Sequence, residues 1–169
     1  MKWLVPALAI AAIVVATVTL VTLTLRQPSV PTYAPTPPTP REAGAALVGP
    51  ILYTVDATAP EAWQAFSFRL GSVIEAGQGD LAFRRYSIVA GLGAGIRDLG
   101  ETRFDDVRAA HVWAVRTAEG RYAKLEIVGY YCPGAQPGCL TFRYVYQGDG
   151  STRVETPPGR VSWQSTRSR

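Results

Sequence analysis

Histidine and methionine occur once each in these 169 residues, as His111 and Met1, and cysteine only twice, as Cys132 and Cys139. A tetrahedral zinc site normally takes four ligands, so one imidazole and two thiolates could be completed only by carboxylates. No metal site is expected. Lysine is scarce as well: Lys2 and Lys124 stand against 15 arginines. With abundant Ala, Gly, Pro and Val, that skew reads as the imprint of a G+C-rich genome and carries no functional content. Net charge is also small beyond residue 42. Setting aside Lys2, Arg26, Arg41 and Glu42 leaves 14 basic and 12 acidic side chains. An overall pI of about 9.3 is therefore no sign of nucleic-acid binding. No serine, cysteine or lysine stands in a recognisable nucleophile motif, and a Ser-His-Asp site would have to recruit His111, so the chain is read as non-enzymatic.

What the sequence does hold begins with a long apolar run. Trp3 to Leu25 is 23 residues without a charge, behind Lys2. At about 1.5 Å per residue such a helix spans roughly 34 Å, against about 30 Å for a hydrocarbon core. A secretory signal has a shorter apolar core and a small-residue cleavage site, and no Ala-x-Ala motif closes this segment. The expectation is one N-terminal transmembrane helix, an uncleaved signal anchor over residues 1–26 that meets the lipid bilayer through residues 3–25. A cleaved signal is the alternative. Lys2 and Arg26 flank the run about equally, so orientation rests on the cysteines and on the very short N-terminal flank. The chain is expected to be single-pass in the cell membrane, with its C-terminal domain on the extracytoplasmic side, periplasmic or outer. Pro28, Pro31, Pro35, Pro37, Pro38 and Pro40 then crowd residues 27–42, which are expected to extend as a polyproline spacer.

From residue 43 onward no segment carries a long helical apolar period, and the reading is all-β: an antiparallel meander or sandwich over 43–155, then a tail or final short strand over 156–169. Strands are expected at Ile51–Val55, Trp63–Arg69, Ser72–Glu75, Leu81–Ala90, His111–Thr117, Arg121–Cys132 and Cys139–Gln147. Thr152–Glu155 and Val161–Gln164 are weaker candidates. Ala118-Glu119-Gly120 suits a three-residue hairpin loop with Gly in the left-handed position. It pairs Val115 with Ala123, Trp113 with Leu125 and His111 with Ile127. The next hairpin is expected to pair Tyr131 with Leu140, Gly129 with Phe142, Ile127 with Tyr144 and Leu125 with Tyr146. One face is then Trp113, Val115, Leu125, Ile127, Tyr131, Leu140, Phe142, Tyr144 and Tyr146. The other is mixed, as a half-buried antiparallel sheet requires.

Cys132 and Cys139 bracket six residues rich in turn formers. Facing each other across a hairpin they would suit a disulfide closing an eight-residue loop, worth roughly 2.5 kcal/mol by the chain-entropy formula. Buried free thiols or half of a metal site are the alternatives. A disulfide favours an oxidising compartment.

Four stretches carry a resemblance: Trp63–Arg69 (WQAFSFR), Asp80–Tyr86 (DLAFRRY), Val115–Lys124 (VRTAEGRYAK), and Tyr130-Tyr-Cys-Pro-Gly through Thr141–Ser151 (TFRYVYQGDGS). In this order they resemble the HmuY family across most of residues 50 to 151. The resemblance implies an all-β envelope domain that binds haem or a related tetrapyrrole and passes it to an envelope protein partner. Founding members place two side chains on the iron, whereas this chain offers one candidate. His111 is either that single axial ligand or, more plainly, the end of the apolar face with one ring nitrogen on a backbone carbonyl. Tyr130 and Tyr131 are further candidates as phenolates. Absent such ligation, the chain is read as a structural or protein-interaction module of the envelope.

The remaining motifs are read as structural. Gly91-Leu-Gly-Ala-Gly95 lacks the third glycine and the helix of a dinucleotide fingerprint, and is expected to be a flexible connection. Asp105-Asp106 suit a solvated turn. Arg84 and Arg85 should point to opposite faces of one strand, with a salt bridge to Asp80 or Asp98.

Overall fold

The computed structural model describes residues 4–24, 30–75, 77–104 and 109–154. It divides into two compact units, residues 1–30 and 31–169. In the first, helix α1 covers Leu4–Thr24, 21 residues without a charged side chain. The hydroxyls of Thr17, Thr19 and Thr22 donate back to the carbonyls of Ile13, Val15 and Thr19, so these polar groups are satisfied inside the helix. Side chains of α1 are described over residues 11–23, and among the described residues no helix is long and apolar enough to cross a membrane.

Among its described residues the second unit has nine strands: β1 (Leu47–Asp56), β2 (Gln64–Ser67), β3 (Ser72–Ile74), β4 (Leu81–Arg84), β5 (Ser87–Ala90), β6 (Gly95–Arg103), β7 (Ala109–Arg116), β8 (Tyr122–Tyr131) and β9 (Pro137–Gln147). They form a five-stranded antiparallel sheet in the order β1-β9-β8-β7-β6 and a four-stranded one in the order β3-β2-β4-β5. The β7–β8 turn is the one expected. Gly120 sits at φ 77°, Thr117 and Arg121 bond across the turn, and Val115 meets Ala123 while Trp113 meets Leu125. A left-handed residue ends this loop, and glycine takes it without strain.

The β8–β9 register differs from expectation by two residues along most of its length. Leu125 opposes Tyr144, not Tyr146, and Ile127 opposes Phe142, not Tyr144. Gly129 meets Thr141 and Tyr131 meets Pro137, with irregularities on either side of Gly129. A short 3-10 turn at Pro133–Ala135 takes up part of the connection. Because side chains alternate with period two, a slip of two leaves the faces unchanged. Val115, Leu125, Leu140, Phe142, Tyr144 and Tyr146 are all buried in the core as expected, with Trp113 and Ile127 packed at its margin. Cys132 and Cys139 are joined as a disulfide, Cα atoms 4.8 Å apart.

The two sheets meet through aromatic rings. Phe142 of β9 stacks on Phe83 of β4 at 5.3 Å and stands edge-on to Phe66 of β2 at 5.1 Å. Asp80, 3% exposed, ties the same layers through polar contacts: one carboxylate oxygen accepts the Phe68 N–H at 2.8 Å and the other the Ala118 N–H at 3.3 Å. Burial raises its carboxyl above the ordinary range, against the two N–H donors that lower it. A raised pKa means that Asp80 contributes most below its unfolded value of about 3.9 and less as pH rises through the folded value. Asp80→Asn, which offers one acceptor for two donors, should cost about 1 to 3 kcal/mol at pH 7. The gap from wild type should widen on acidification through that window. Urea melts of both proteins at neutral and mildly acidic pH check this, and a gap that narrows with acid would refute it.

Several expectations need correction. Leu81–Ala90 is a hairpin rather than one strand: β4 and β5 are joined by Arg85-Tyr86, with Arg85 at φ 52°. No Gly or Asn announces that turn in the sequence. Arg84 lies over the Trp63 ring at 4.4 Å, and Asp80 and Asp98 are bonded to other groups than the expected arginines. Gly91–Gly95 turns tightly, with Gly91 N–H on the Asp80 carbonyl, and leads into β6, a strand the sequence reading did not include. Thr152–Val154 is not a strand. Glu155, Val161–Gln164 and Asp105-Asp106 lie outside the described residues.

The proline-rich spacer is the largest correction. From Thr32 to Ala43 the chain runs along the β domain instead of standing apart from it as a spacer. Thr32 bridges Tyr131, Tyr33 N–H donates to the Tyr131 carbonyl, and the Tyr33 ring lies where a Cβ on Gly129 would stand. Thr36 N–H donates to the Thr54 carbonyl while Thr54 N–H donates to Thr36 Oγ1. Farther on, Arg41 and Ala43 N–H groups donate to the Leu70 and Arg69 carbonyls at the β2–β3 turn. The strap covers the outer edge of β1 and reaches both sheets. Its prolines lack the N–H groups that would let a further strand add to it.

Candidate functional site

The site forms where β6 lies beside β7. His111, Trp113 and Val115 alternate along β7 onto the core-facing side, and their burial falls along the strand from Val115, which is 0% exposed in the core. Trp113 is partly buried, and His111 is exposed over 48% of its side chain. His111 is thus not packed under the sheet, nor is it held by a backbone carbonyl as expected. Its Nε2 lies 2.7 Å from Asp98 Oδ1, and its ring sits 4.5 Å from the Trp113 ring, tilted by 33°.

Asp98 arrives there through an irregularity in β6. It opposes Trp113, Glu101 opposes His111, and an extra residue is inserted between them. Gly100 takes φ 69° at that bulge and donates its N–H to Asp98 Oδ1 at 2.7 Å. That N–H first, and the His111 bond second, hold the Asp98 carboxyl below the ordinary range, so it is an anion at neutral pH. The role of Asp98 was not read from the sequence. Its signal was present in Asp98-Leu99-Gly100, an Asx-type turn two residues long.

A hydrolase would need His111 bonded to a carboxylate and to a hydroxyl. The carboxylate is there, but the described contacts give His111 no hydroxyl partner. As a donor set toward a metal, the site offers one imidazole; among the described residues no group of three His, Cys, Asp or Glu could hold an ion. Among the described residues no second side chain joins His111 for a paired ligation of a haem-type iron, and the imidazole itself has Nε2 on Asp98. Tyr130 is exposed beside Tyr86, with ring centroids 6.1 Å apart. Tyr131 is tied through its backbone to the strap. Burial pushes Tyr144 up to about 12, so that phenol stays protonated in the core. Cys132 and Cys139, being bonded to each other, supply no thiolate.

No family model matches this chain, and no curated protein does. Among solved structures it is similar to the apo HmuY analog of Tannerella forsythia, 14% identical, with a TM-score of 0.49 over 63% of this chain and 99% of that one. It is also similar to a Bacteroides vulgatus protein described as HmuY-like and heme-binding, 14% identical, TM-score 0.45, covering 57% of this chain and 91% of that one. A Bacteroides fragilis protein described as a lipoprotein is similar at 14% identity and TM-score 0.45, over 64% of this chain and 93% of that one.

Proposed function

We propose that this chain is a membrane-anchored, envelope-side binding module, without catalytic activity, that takes haem or a related tetrapyrrole on His111. The observation that carries the reading is the exposed imidazole held between Asp98 and Trp113. The ligand class comes from the sequence motifs that resemble the HmuY family. Anchoring is supported by the sequence alone, in the uncharged run of 23 residues from Trp3 to Leu25. The Cys132–Cys139 disulfide supports an oxidising, extracytoplasmic location for the β domain.

Titration of the purified chain with micromolar haemin should shift the Soret band, and His111→Ala should abolish the shift. Absence of a shift in the unaltered chain would sink the reading. A second reading is a protein-interaction module of the envelope. It is favoured by the burial of Phe66, Phe83 and Phe142, each 0% exposed between the sheets, and by the absence of His111 from the lining of the described cavities. A null haemin titration together with recovery of a defined envelope partner by cross-linking would select this second reading.

A further inference from the structure

We infer that the outer face of the five-stranded sheet carries a binding site apart from His111, a groove that takes a single-chain amphiphile with an anionic head, a free long-chain fatty acid. This is independent of the haem reading. The groove has a volume of about 510 Å³ and lies against β6, β7 and β8, with Thr152 and Val154 of the segment after β9 also lining it. Small-molecule sites run from about 300 to 1,000 Å³, so the space suits one alkyl chain with its head group rather than a two-chain phospholipid.

The floor of the groove follows from register. Val115 and Ala123 face the core, so their neighbours Ala114, Arg116 and Tyr122 face outward. Arg116 lies opposite Gly95 of β6 on one side and Tyr122 of β8 on the other, while Ala114 lies opposite Arg97. Two small residues, Gly95 and Ala114, thus alternate with larger ones, and nothing lies within 4 Å of where a Cβ on Gly95 would stand. Leu99 adds apolar wall and is itself 46% exposed.

Charge fixes the class of ligand. Arg97 and Arg116 both line the groove, and no carboxylate does. They are diagonal neighbours on one face, roughly 7–8 Å apart, so the two cations repel each other unless an anion lies between them. Among the described residues neither makes a salt bridge. The acids of β6 are on its other side: Asp98 opposes Trp113 and Glu101 opposes His111. Without the bulge after Asp98, period two would put Glu101 on the face of Arg97. The inserted residue turns Glu101 away and leaves the groove with cations only. A carboxylate, with two oxygens, can accept from both arginines while the chain behind it covers Leu99, Ala114 and Val154.

The test uses the full chain in phosphatidylcholine nanodiscs and a palmitate analogue carrying a diazirine on its chain. After illumination the labelled peptides should include residues 95–99 or 114–122, and excess palmitate should remove that label. Arg97→Gln with Arg116→Gln should lower it about 10-fold, each arginine contributing a few-fold, while Arg97→Lys with Arg116→Lys should keep most of it. Ala114→Trp, which leaves both cations and fills the floor, should lower it as well. Circular dichroism checks that each variant keeps the fold; both arginines are exposed, so the double Gln change remains decisive if Ala114→Trp unfolds. Label confined to α1, or a groove label unchanged by the double Gln variant, would overturn the inference. So would equal labelling by the matching uncharged fatty alcohol. Equal labelling by a two-chain anionic phospholipid with the same diazirine would assign the groove to membrane lipid and overturn it too.

Discussion

Phe142→Ala should destabilise the β domain by about 3 to 5 kcal/mol, the largest effect expected of any single substitution in this fold. Phe142 is 0% exposed and touches rings from both sheets: Phe83 and Phe66 from one, Tyr53 and Tyr144 from its own. Truncation removes the transfer free energy of the ring and leaves a cavity walled by four aromatic groups that cannot all close in. Against a typical domain stability of about 5 to 15 kcal/mol, that loss brings the fold near its limit. Leu52→Ala is the natural control, since Leu52 lies on the outer side of β1 and is 49% exposed. It should change stability by no more than about 0.5 kcal/mol. Guanidinium melts of the two variants decide the matter, and a Phe142→Ala loss below about 1 kcal/mol would show that the sheets are not joined through this ring.

Removal of the strap should have an effect of similar size and a second consequence. A version starting at residue 44 loses the hydrogen bonds that Tyr33, Thr36, Arg41 and Ala43 donate, and the one that Thr54 donates to Thr36. At a net contribution of about 1 kcal/mol each, the cost relative to a version starting at residue 31 is roughly 3 to 5 kcal/mol. The outer edge of β1 would also be bared, with the Thr54 N–H and carbonyl open to another strand. Exposed edges template pairing with further chains, so the shorter version should self-associate. Light scattering after size exclusion and urea melts of both versions measure the two effects. Equal stability and equal monomer content would make residues 31–43 a passenger on the domain rather than part of it.

Much of this architecture was legible because it depends on local chemistry. A glycine three residues into a polar turn pinned the β7–β8 register, and the alternation of apolar residues assigned the faces of β7, β8 and β9. The β8–β9 slip of two residues did no harm to that assignment, since period two makes such slips invisible to which face a residue occupies. The strands that were missed or merged have weak local signals. β6 carries Arg97, Asp98, Glu101 and Arg103 and two glycines, and becomes a strand because the edge of β7 offers it a ladder.

The candidate site divides in the same way. His111 stood out by being the chain's only histidine, but its surroundings did not. Asp98 reaches it only because a bulge in β6 sets the two residues on one face, across strands, at hydrogen-bonding distance.

By itself, the sequence determined the β character of the domain, the hairpin spacing that brings Cys132 and Cys139 within reach of each other, the apolar run at the N-terminus and the composition of the core face. Each follows from backbone preference, side-chain period or short-range spacing. Only the tertiary structure decided where the proline-rich segment lies, that β6 exists, and that His111 has a carboxylate partner. Those outcomes depend on hydrogen bonds whose second half belongs to a distant segment, and a local sequence pattern carries no record of it.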